Sequence, residues 1–401
     1  MLEGNTSGPE VVQLRQDIRR LLEQRLLEAV ELVLEQELRE ALGAQPYERT
    51  AVRRGYRNGA KLRRVTTVAG TRELRVPRGR VVTPEGTTKE FASELVPRYA
   101  RRVREIDAAI LSCYLAGANS RRIGKALAPL LGQEHLSKSA ASRVAGRLKE
   151  RFAAWRQRDC AGERYALLFL DGFHVKVRLA RRVVAVPVLA ALGVRPDGGK
   201  VLVALRLATS EAARLWAELL EDLQRRGLAA PELLIVDGHA GLRKALEAWP
   251  GVRVQRCTQH KLRNLLAHCP RHAHAELRRD WRPIVDARDG VAAHQAYAAF
   301  LAKWSRLCPA VARSLEEAGE ELLTFYEFPR SMWRTLRSTN ALENLHREFR
   351  RRTKTQASFA TEEAALTLLW ALVACGQIRL RSVNGHQDLQ RFLETTWTQA
   401  A

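Results

Sequence analysis

Two runs without a polar residue, Ala166-Leu167-Leu168-Phe169-Leu170 and Leu233-Leu234-Ile235-Val236, each end in Asp-Gly, as Asp171-Gly172 and Asp237-Gly238. Short apolar runs bounded by turn formers read as strands. Tyr165–Leu170, Val183–Leu192 and Val201–Thr209 share that texture, with a turn at Pro196-Asp197-Gly198-Gly199. Glu211–Arg226 has the spacing of an amphipathic helix capped by Ser210, and Leu233–Val236 is a short buried strand. Gly241–Ala248 reads as a helix and Val252–Arg256 as another strand. Three strands followed by helix–strand–helix–strand predict an α/β domain with a mixed sheet. Residues 261–328 read as helical throughout, and a last long helix runs from about Asn340 past Arg352.

Charge narrows the partner. The 401 residues carry 67 Lys and Arg against 44 Asp and Glu, a formal net charge of +23. That surplus points to a polyanion, nucleic acid ahead of a membrane, because no basic amphipathic anchor helix is present. With 46% hydrophobic residues the chain can build a core, which excludes wholesale disorder. No apolar stretch is long enough to span a bilayer. Met1 to Gln13 lack a basic n-region and an apolar h-region, so no secretory leader is expected. Six scattered cysteines do not make a disulfide scaffold and suit a reducing cytoplasm, with nucleoid association when DNA is bound.

The surplus is uneven. Residues 1–46 hold 5 Lys/Arg against 9 Asp/Glu, a net of −4. Ile18, Leu21, Leu22, Leu26, Ala29, Val33 and Leu34 recur there at helical spacing until Gly43 and Pro46. This amphipathic helix is a dimerisation candidate, with packing on the body as the plainer alternative. Residues 47–104 hold 16 Lys/Arg against 5 Asp/Glu, a net of +11. Leu62–Val68 and Arg72–Val76 flank Ala69-Gly70-Thr71 as a basic β-hairpin, whose Arg57, Lys61, Arg63, Arg64 and Arg78 are candidates to follow a phosphate backbone. Residues 105–160 read as three helices: Glu105–Ala116, a second from Asn119 or Ser120 to Gly132, and a third from Ser137 or Ser139. A short helix, a turn and a Ser/Arg-rich helix are similar to a helix-turn-helix reader presenting Arg121, Arg122, Arg143 and Arg147, though plain helical packing has the same pattern.

Three carboxylates are candidates for chemistry. Asp171 and Asp237 follow strands, and strand ends in α/β domains are where functional groups gather. Paired carboxylates there suit a hard divalent cation, unless each Asp-Gly merely closes its strand with a turn. Glu343 heads the Arg347, Arg350, Arg351 and Lys354 ridge on one helix face. Pairing with Arg347 alone would leave that ridge in need of an anion, which DNA phosphate supplies. Three carboxylates around two metal ions perform phosphoryl transfer. Just after a strand, Arg256-Cys257-Thr258-Gln259-His260-Lys261 contains Cys-x-x-His; His268, Cys269, His272 and His274 lack a standard zinc spacing. Cys257 and His260 are therefore read as support beside the site, with Arg256, Lys261 and Arg263 on phosphate. Trp216, Trp281, Trp304 and Trp333 read as core, with Trp333, among Arg330, Arg334 and Arg337, the one suited to stack on a base.

The order of Tyr56-Arg57-Asn58-Gly59, Val76-Pro77-Arg78, Leu170-Asp171-Gly172, Arg225-Arg226-Gly227-Leu228, Val236-Asp237-Gly238 and Gln255-Arg256-Cys257-Thr258-Gln259-His260-Lys261 is distinctive. With Arg263-Asn264, Ser338-Thr339-Asn340-Ala341-Leu342-Glu343 and Arg350 to Lys354, the chain resembles mutator-type bacterial insertion-sequence transposases from about Tyr47 to Cys375. The resemblance implies an α/β ribonuclease-H-like catalytic core in 163–260 and 335–378, interrupted by an all-α insertion domain at 261–334 and followed by a C-terminal tail, 379–401. It implies Asp171, Asp237 and Glu343 as a metal-binding triad for Mg²⁺ (or Mn²⁺), with Cys257, His260 and Asn340 beside it. It further implies binding to terminal inverted repeats, 3′-end cleavage, and strand transfer to target DNA, and a homodimer on paired ends is the assembly expected. His346 stands where the family commonly has Asn, Arg121-Arg122 replaces a single Thr-Arg pair, and residues 81–91 are rearranged; none touches the triad. Two rival classes are a non-catalytic transposase-derived DNA-binding regulator and a ribonuclease-H-like nuclease or resolvase.

The charge makes a first prediction. Affinity for duplex DNA, followed by fluorescence anisotropy, should fall with salt at a log–log slope of about −0.9 per phosphate neutralised. A salt-independent affinity would contradict a polyanionic partner.

Overall fold

The computed structural model describes residues 9–67, 70–98, 102–118, 120–131, 138–179, 181–208, 212–238, 249–354 and 358–400. The chain forms two compact units, one up to Gly146 and one from Arg147. Among the described residues no helix is long and apolar enough to cross a membrane.

In the first unit, α1 (Pro9–Leu42) stops where Gly43 takes a φ of +64°, its N–H bonding back to the Arg39 carbonyl at 2.9 Å. A β-carbon on Gly43 would sit 2.9 Å from the Val52 carbonyl, so the stop expected there has a steric reason. Strands β1 (Gly55–Thr67) and β2 (Gly70–Val82) form the basic hairpin, longer than expected, and β3 (Thr88–Glu90) extends it. Helices α2 (Arg104–Leu115) and α3 (Ser120–Leu131) follow at the expected positions, as does α4 (Lys138–Gln157), whose residues from Arg147 on belong to the second unit. The core joins Leu34 of α1 to Val65, Leu74 and Val76 of the hairpin and to Ile106, Ile110, Ile123 and Val144 of the helices. The stripe that identified α1 straddles two faces, of which only the one carrying Leu34 packs. Leu34, Leu38 and Leu42 are buried, whereas Ile18, Leu21, Leu22 and Val33 are exposed. The cap candidates Asn119 and Ser137, the turn residue Ala69 and the side chains of Ser120 and Ser139 lie outside what is described.

The second unit is built on a five-stranded sheet in the order β6 (Lys200–Leu207), β5 (Arg182–Val194), β4 (Leu167–Leu179), β7 (Leu233–Val236), β8 (Arg253–Arg256). β4, β5 and β6 are antiparallel neighbours, and β7 and β8 run parallel to β4. The mixed sheet expected from the sequence is therefore present. Alternation along β4 separates the two faces. Leu168 and Leu170 pack with Trp216, Leu220 and Leu223 of α5 (Ala212–Arg225), and the odd positions point the other way. Ser210 and the helix expected at 241–248 lie outside the described residues.

Between β8 and α10 (Asn340–Thr353) lies a helical segment: α6 (Thr258–His268), α7 (His274–Val285), α8 (Gly290–Leu307), α9 (Pro309–Ala318) and short 3₁₀ turns. It has its own core, in which Leu265, Leu277, Trp281, Phe300, Trp304 and Leu315 meet. Trp216, Trp281 and Trp304 are thus core residues. Trp333 is half-buried, edge-on to Tyr326 at 4.6 Å, with its ring N–H on the Phe328 carbonyl at 2.7 Å, an arrangement of a packed rather than a presented ring. After α11 (Glu362–Ala374), the stretch read as a tail instead ends in α12 (His386–Ala400). Leu389 and Leu393 of α12 are buried, and Phe392 packs on Phe328 at 5.0 Å, which anchors the helix.

Phe169 is fully buried at the centre of the sheet. Phe169→Ala should cost about 3–5 kcal/mol in chemical denaturation of the second unit. A loss below roughly 1 kcal/mol would mean that this sheet is not the folding core.

Candidate active site

The register of two parallel strands builds the site. β4 and β7 pair Leu167 with Leu233 through Leu170 with Val236, so the next residues, Asp171 and Asp237, emerge side by side. Asp237 ends its strand as expected. Asp171 does not, because β4 continues and Asp171 and Gly172 pair with Ala190 and Leu189 of β5. Asp171-Gly172 is therefore not a turn. Asp171 sits within the β4–β5 ladder, whose pairing on that side fixes its position.

The Asp171 side chain is 8% exposed, with one carboxylate oxygen accepting the Gly172 N–H at 2.8 Å. Burial pushes its pKa up to about 7, helped by the charges of Asp237 and Glu343 and opposed by His260. The other oxygen lies 3.7 Å from Nδ1 of His346 on α10. That imidazole is buried and stacked on Phe173 at 4.2 Å, and burial drives its pKa down to about 3. The two groups therefore meet as a carboxyl group and a neutral ring, not as an ion pair. His346, a departure from the family pattern expected not to touch the triad, packs directly against Asp171 instead.

Glu343 comes from the first turn of α10, as expected. Its carboxylate lies 3.7 Å from His260 and 3.5 Å from Arg263, both on α6, so its cations come from another helix and not from Arg347. His260 is raised to about 9, first by its hydrogen bond with Cys257 and then by the charges of Cys257, Asp171 and Asp237. Burial alone would raise the Cys257 thiol, but His260 outweighs it and holds it low. Thr339 joins them: its N–H and hydroxyl reach the Cys257 sulfur at 3.4 and 3.5 Å, and its hydroxyl reaches His260 at 3.4 Å. Cys-x-x-His thus ties the start of α6 to the start of α10 and supplies a cation to Glu343. Asn340, expected beside it, opens α10 with an exposed side chain.

Among the described residues no three His, Cys, Asp or Glu side chains are grouped closely enough to form a metal shell. For Cys257 and His260 this leaves zinc without further ligands. For the carboxylates it reflects geometry: Asp171 and Asp237 stand together, while Glu343 is turned to His260 and Arg263. As donors the three still suit a hard cation. A carboxyl group pushed up by burial and further by two neighbouring negative charges is the electrostatic arrangement a divalent ion relieves.

Arg256 and Lys261, expected on phosphate, are buried, each side chain only 3% exposed. Arg256 donates to both Glu317 carboxylate oxygens at 3.0 and 3.1 Å and to the Gly238 carbonyl at 3.0 Å. Lys261 donates to Glu317 at 2.9 Å and to the Ser314 carbonyl at 2.7 Å. A cation this deep needs a fixed partner, and Glu317 of α9 provides it. Gly238, with a φ of +83°, leaves room for the guanidinium, since a β-carbon there would lie 2.5 Å from Arg256 Nε. These cations lock the helical segment to the strand end that carries Asp237.

The other basic residues divide. Lys61, Arg64, Arg78, Arg122, Arg143 and Arg147 are exposed, as are Arg263, Arg334, Arg347, Arg350, Arg351 and Lys354. Arg63 reaches the Pro97 carbonyl at 3.4 Å, and Arg57 is held by Glu35 of α1 at 2.6 Å, which makes it a packing residue. The Arg121 side chain lies outside what is described. Lys61, Arg63, Arg78 and Arg98 line a cleft of about 360 Å³ in the first unit, whose one acidic group, Glu90, pairs with Arg98 at 2.9 Å.

Residues 5–377 match the model of a family described as transposase, Mutator family. The chain is 38% identical over 341 residues to the transposase for insertion sequence element ISRM5 of Rhizobium meliloti, covering 85% of this chain and 83% of that one. It is 37% identical over 336 residues to that for IS406 of Burkholderia multivorans, covering 83% and 84%. The transposase for IS256 in transposon Tn4001 of Staphylococcus aureus is 30% identical over 348 residues, covering 85% and 86%.

Glu317 is held down at about 2, burial being outweighed by its bonds to Arg256 and Lys261. Its stabilisation is thus complete above the ordinary carboxylate pKa of about 4.3 and is lost as pH falls towards 2. Glu317→Gln should cost about 2 kcal/mol at pH 7, less than a fully buried pair because Glu317 is half in water. The difference between variant and parent in chemical unfolding should shrink at about pH 3, and a pH-independent difference would contradict the ionic account.

Proposed function

The chain belongs to the Mutator family of transposases, and from that premise we propose that it binds the terminal inverted repeats of an insertion sequence and performs metal-dependent 3′-end cleavage and strand transfer. It acts as a homodimer on paired ends. Asp171, Asp237 and Glu343 hold Mg²⁺, or Mn²⁺ in its place, as a DDE triad. The observation that carries this reading is the pairing of Leu170 with Val236, which sets two aspartates side by side and close enough to Glu343 for its charge to act on Asp171.

The architecture supports a ribonuclease-H-like core. Three antiparallel strands lead into two parallel ones, and the helical segment falls between the last strand and the glutamate helix. Bound divalent ions supply activation of water or a 3′-hydroxyl and stabilisation of the leaving oxygen. The protein's own residues do the rest. The β4 ladder holds Asp171 without rotation of the backbone, and His346 and Phe173 exclude water from its inner side. His260 and Arg263 hold the Glu343 carboxylate, and the exposed Arg347, Arg350, Arg351 and Lys354 give phosphate a path towards it. In the first unit, the cleft lined by Lys61, Arg63 and Arg78 gives the ends a second anchorage. A non-catalytic regulator would need the DNA-binding surface but no buried carboxyl group beside a second strand-end aspartate.

Asp171→Asn, Asp237→Asn and Glu343→Gln should each abolish cleavage and strand transfer on end-containing DNA with Mg²⁺ while leaving end binding largely intact. Strand transfer retained by any one of them would remove that residue from the triad.

A further inference from the structure

Helix α1 has two apolar faces, and only one is used. The inner face, with Leu27, Val30, Leu34, Leu38 and Leu42, packs in the first unit, and Leu34, Leu38 and Leu42 are fully buried. Glu23 and Glu35 on the same side bind Arg72 and Arg57 of the hairpin at 2.8 and 2.6 Å. Half a turn away, Val11, Leu14, Ile18, Leu21, Ala29 and Leu32 are all exposed, Leu14 by 60% and Leu32 by 65%. With Arg25 included, these positions are separated by 3, 4, 3, 4, 4 and 3 residues, a mean of 3.5. Positions three and four apart lie on one helix face, and the 3-4-3-4 spacing from Val11 to Arg25 is the heptad spacing at which a second helix can pack. The stripe covers 22 residues, roughly 33 Å of helix at about 1.5 Å each.

The flanks say which helix. Residues 10–33 carry four Arg against five Asp/Glu, nearly neutral where the whole chain has +23. Asp17 and Arg20 pair at 3.8 Å, and Arg25 and Glu28 at 2.9 Å. Such mixed flanks repel neither a like copy nor its image, offer nothing to nucleic acid, and lack the basic polar face of a membrane-surface helix. Arg25, the one charged residue in the stripe, has the place of a polar core residue that fixes register at a cost in stability.

We propose that the exposed face of α1 pairs with α1 of a second copy of this chain as a two-stranded coiled coil. This deepens the reading of paired ends given above and rests on it for the need for two copies. The full-length protein should sediment at twice its 45.2 kDa chain mass. Leu14→Glu with Leu21→Glu should weaken self-association at least 100-fold, with the circular dichroism and binding to a single end unchanged, because both side chains point away from the packed face. Arg25→Leu should tighten it at least 10-fold. A double variant that stays dimeric, an Arg25→Leu variant no tighter than the parent, or a parent that is monomeric even on end DNA would each overturn the coiled coil. The two readings fail separately. Proteins that associate as expected but never cleave leave the coiled coil standing and remove the catalytic assignment; a parent that cleaves while its double variant remains dimeric does the reverse.

Discussion

The site depends on one pairing, that of β4 with β7. Parallel strands in register bring equivalent positions to the same height, and one residue past Leu170 and Val236 both positions are aspartate. Burying one of the two makes its charged form costly, and repulsion by the other adds to that cost. Asp171 consequently sits at about 7, far above an ordinary aspartate. The fold tolerates that cost because the sheet around it is otherwise apolar and β4 is bonded on both sides. A buried carboxyl group beside a like charge at a strand end is a poor way to stabilise a protein and a good way to prepare a cation site.

Much of what surrounds this pair serves to keep other elements at a fixed distance from it. Arg256, Lys261 and Glu317 bind α9 to the strand end behind Asp237. Cys257, His260 and Thr339 bind α6 to the head of α10, where Glu343 stands. The first cluster is ionic with its cations buried, the second a thiol–imidazole–hydroxyl set, and both are short-range and directional. The basic surplus thus has two kinds of work. Some of it is consumed in pairs within the protein, on Glu317, Glu35 and Glu23, and the remainder lies on exposed stretches of the hairpin, α4 and α10.

The sequence carried the strands, the three helices after the hairpin and the glutamate helix plainly, because each has an apolar period that survives without tertiary help. The end of β4 was misjudged, although the signal was there. Phe173, Val175 and Val177 are buried while His174, Lys176 and Arg178 are exposed, a clean two-residue alternation that Asp171-Gly172 masks. The last helix was missed because Leu389, Phe392 and Leu393 make a short apolar set whose partner, Phe328, is far away in sequence. Arg256 and Lys261 were misread for the same reason: Glu317 lies 61 residues beyond Arg256, and local sequence does not show which cations have a partner. The stripe on α1 was legible as a helix signal but not as a choice between faces, since both are apolar.

The central claim is that Asp171, Asp237 and Glu343 share one cation site. Fe²⁺ substituted for Mg²⁺ on the full-length chain bound to end DNA, with ascorbate and peroxide, cuts the backbone beside the ligands of the ion. The account predicts three sets of fragments, ending next to Asp171, Asp237 and Glu343, all suppressed by excess Mg²⁺. Cuts near the aspartates alone, or near Cys257 and the histidines of α6 and α7 instead, would contradict it.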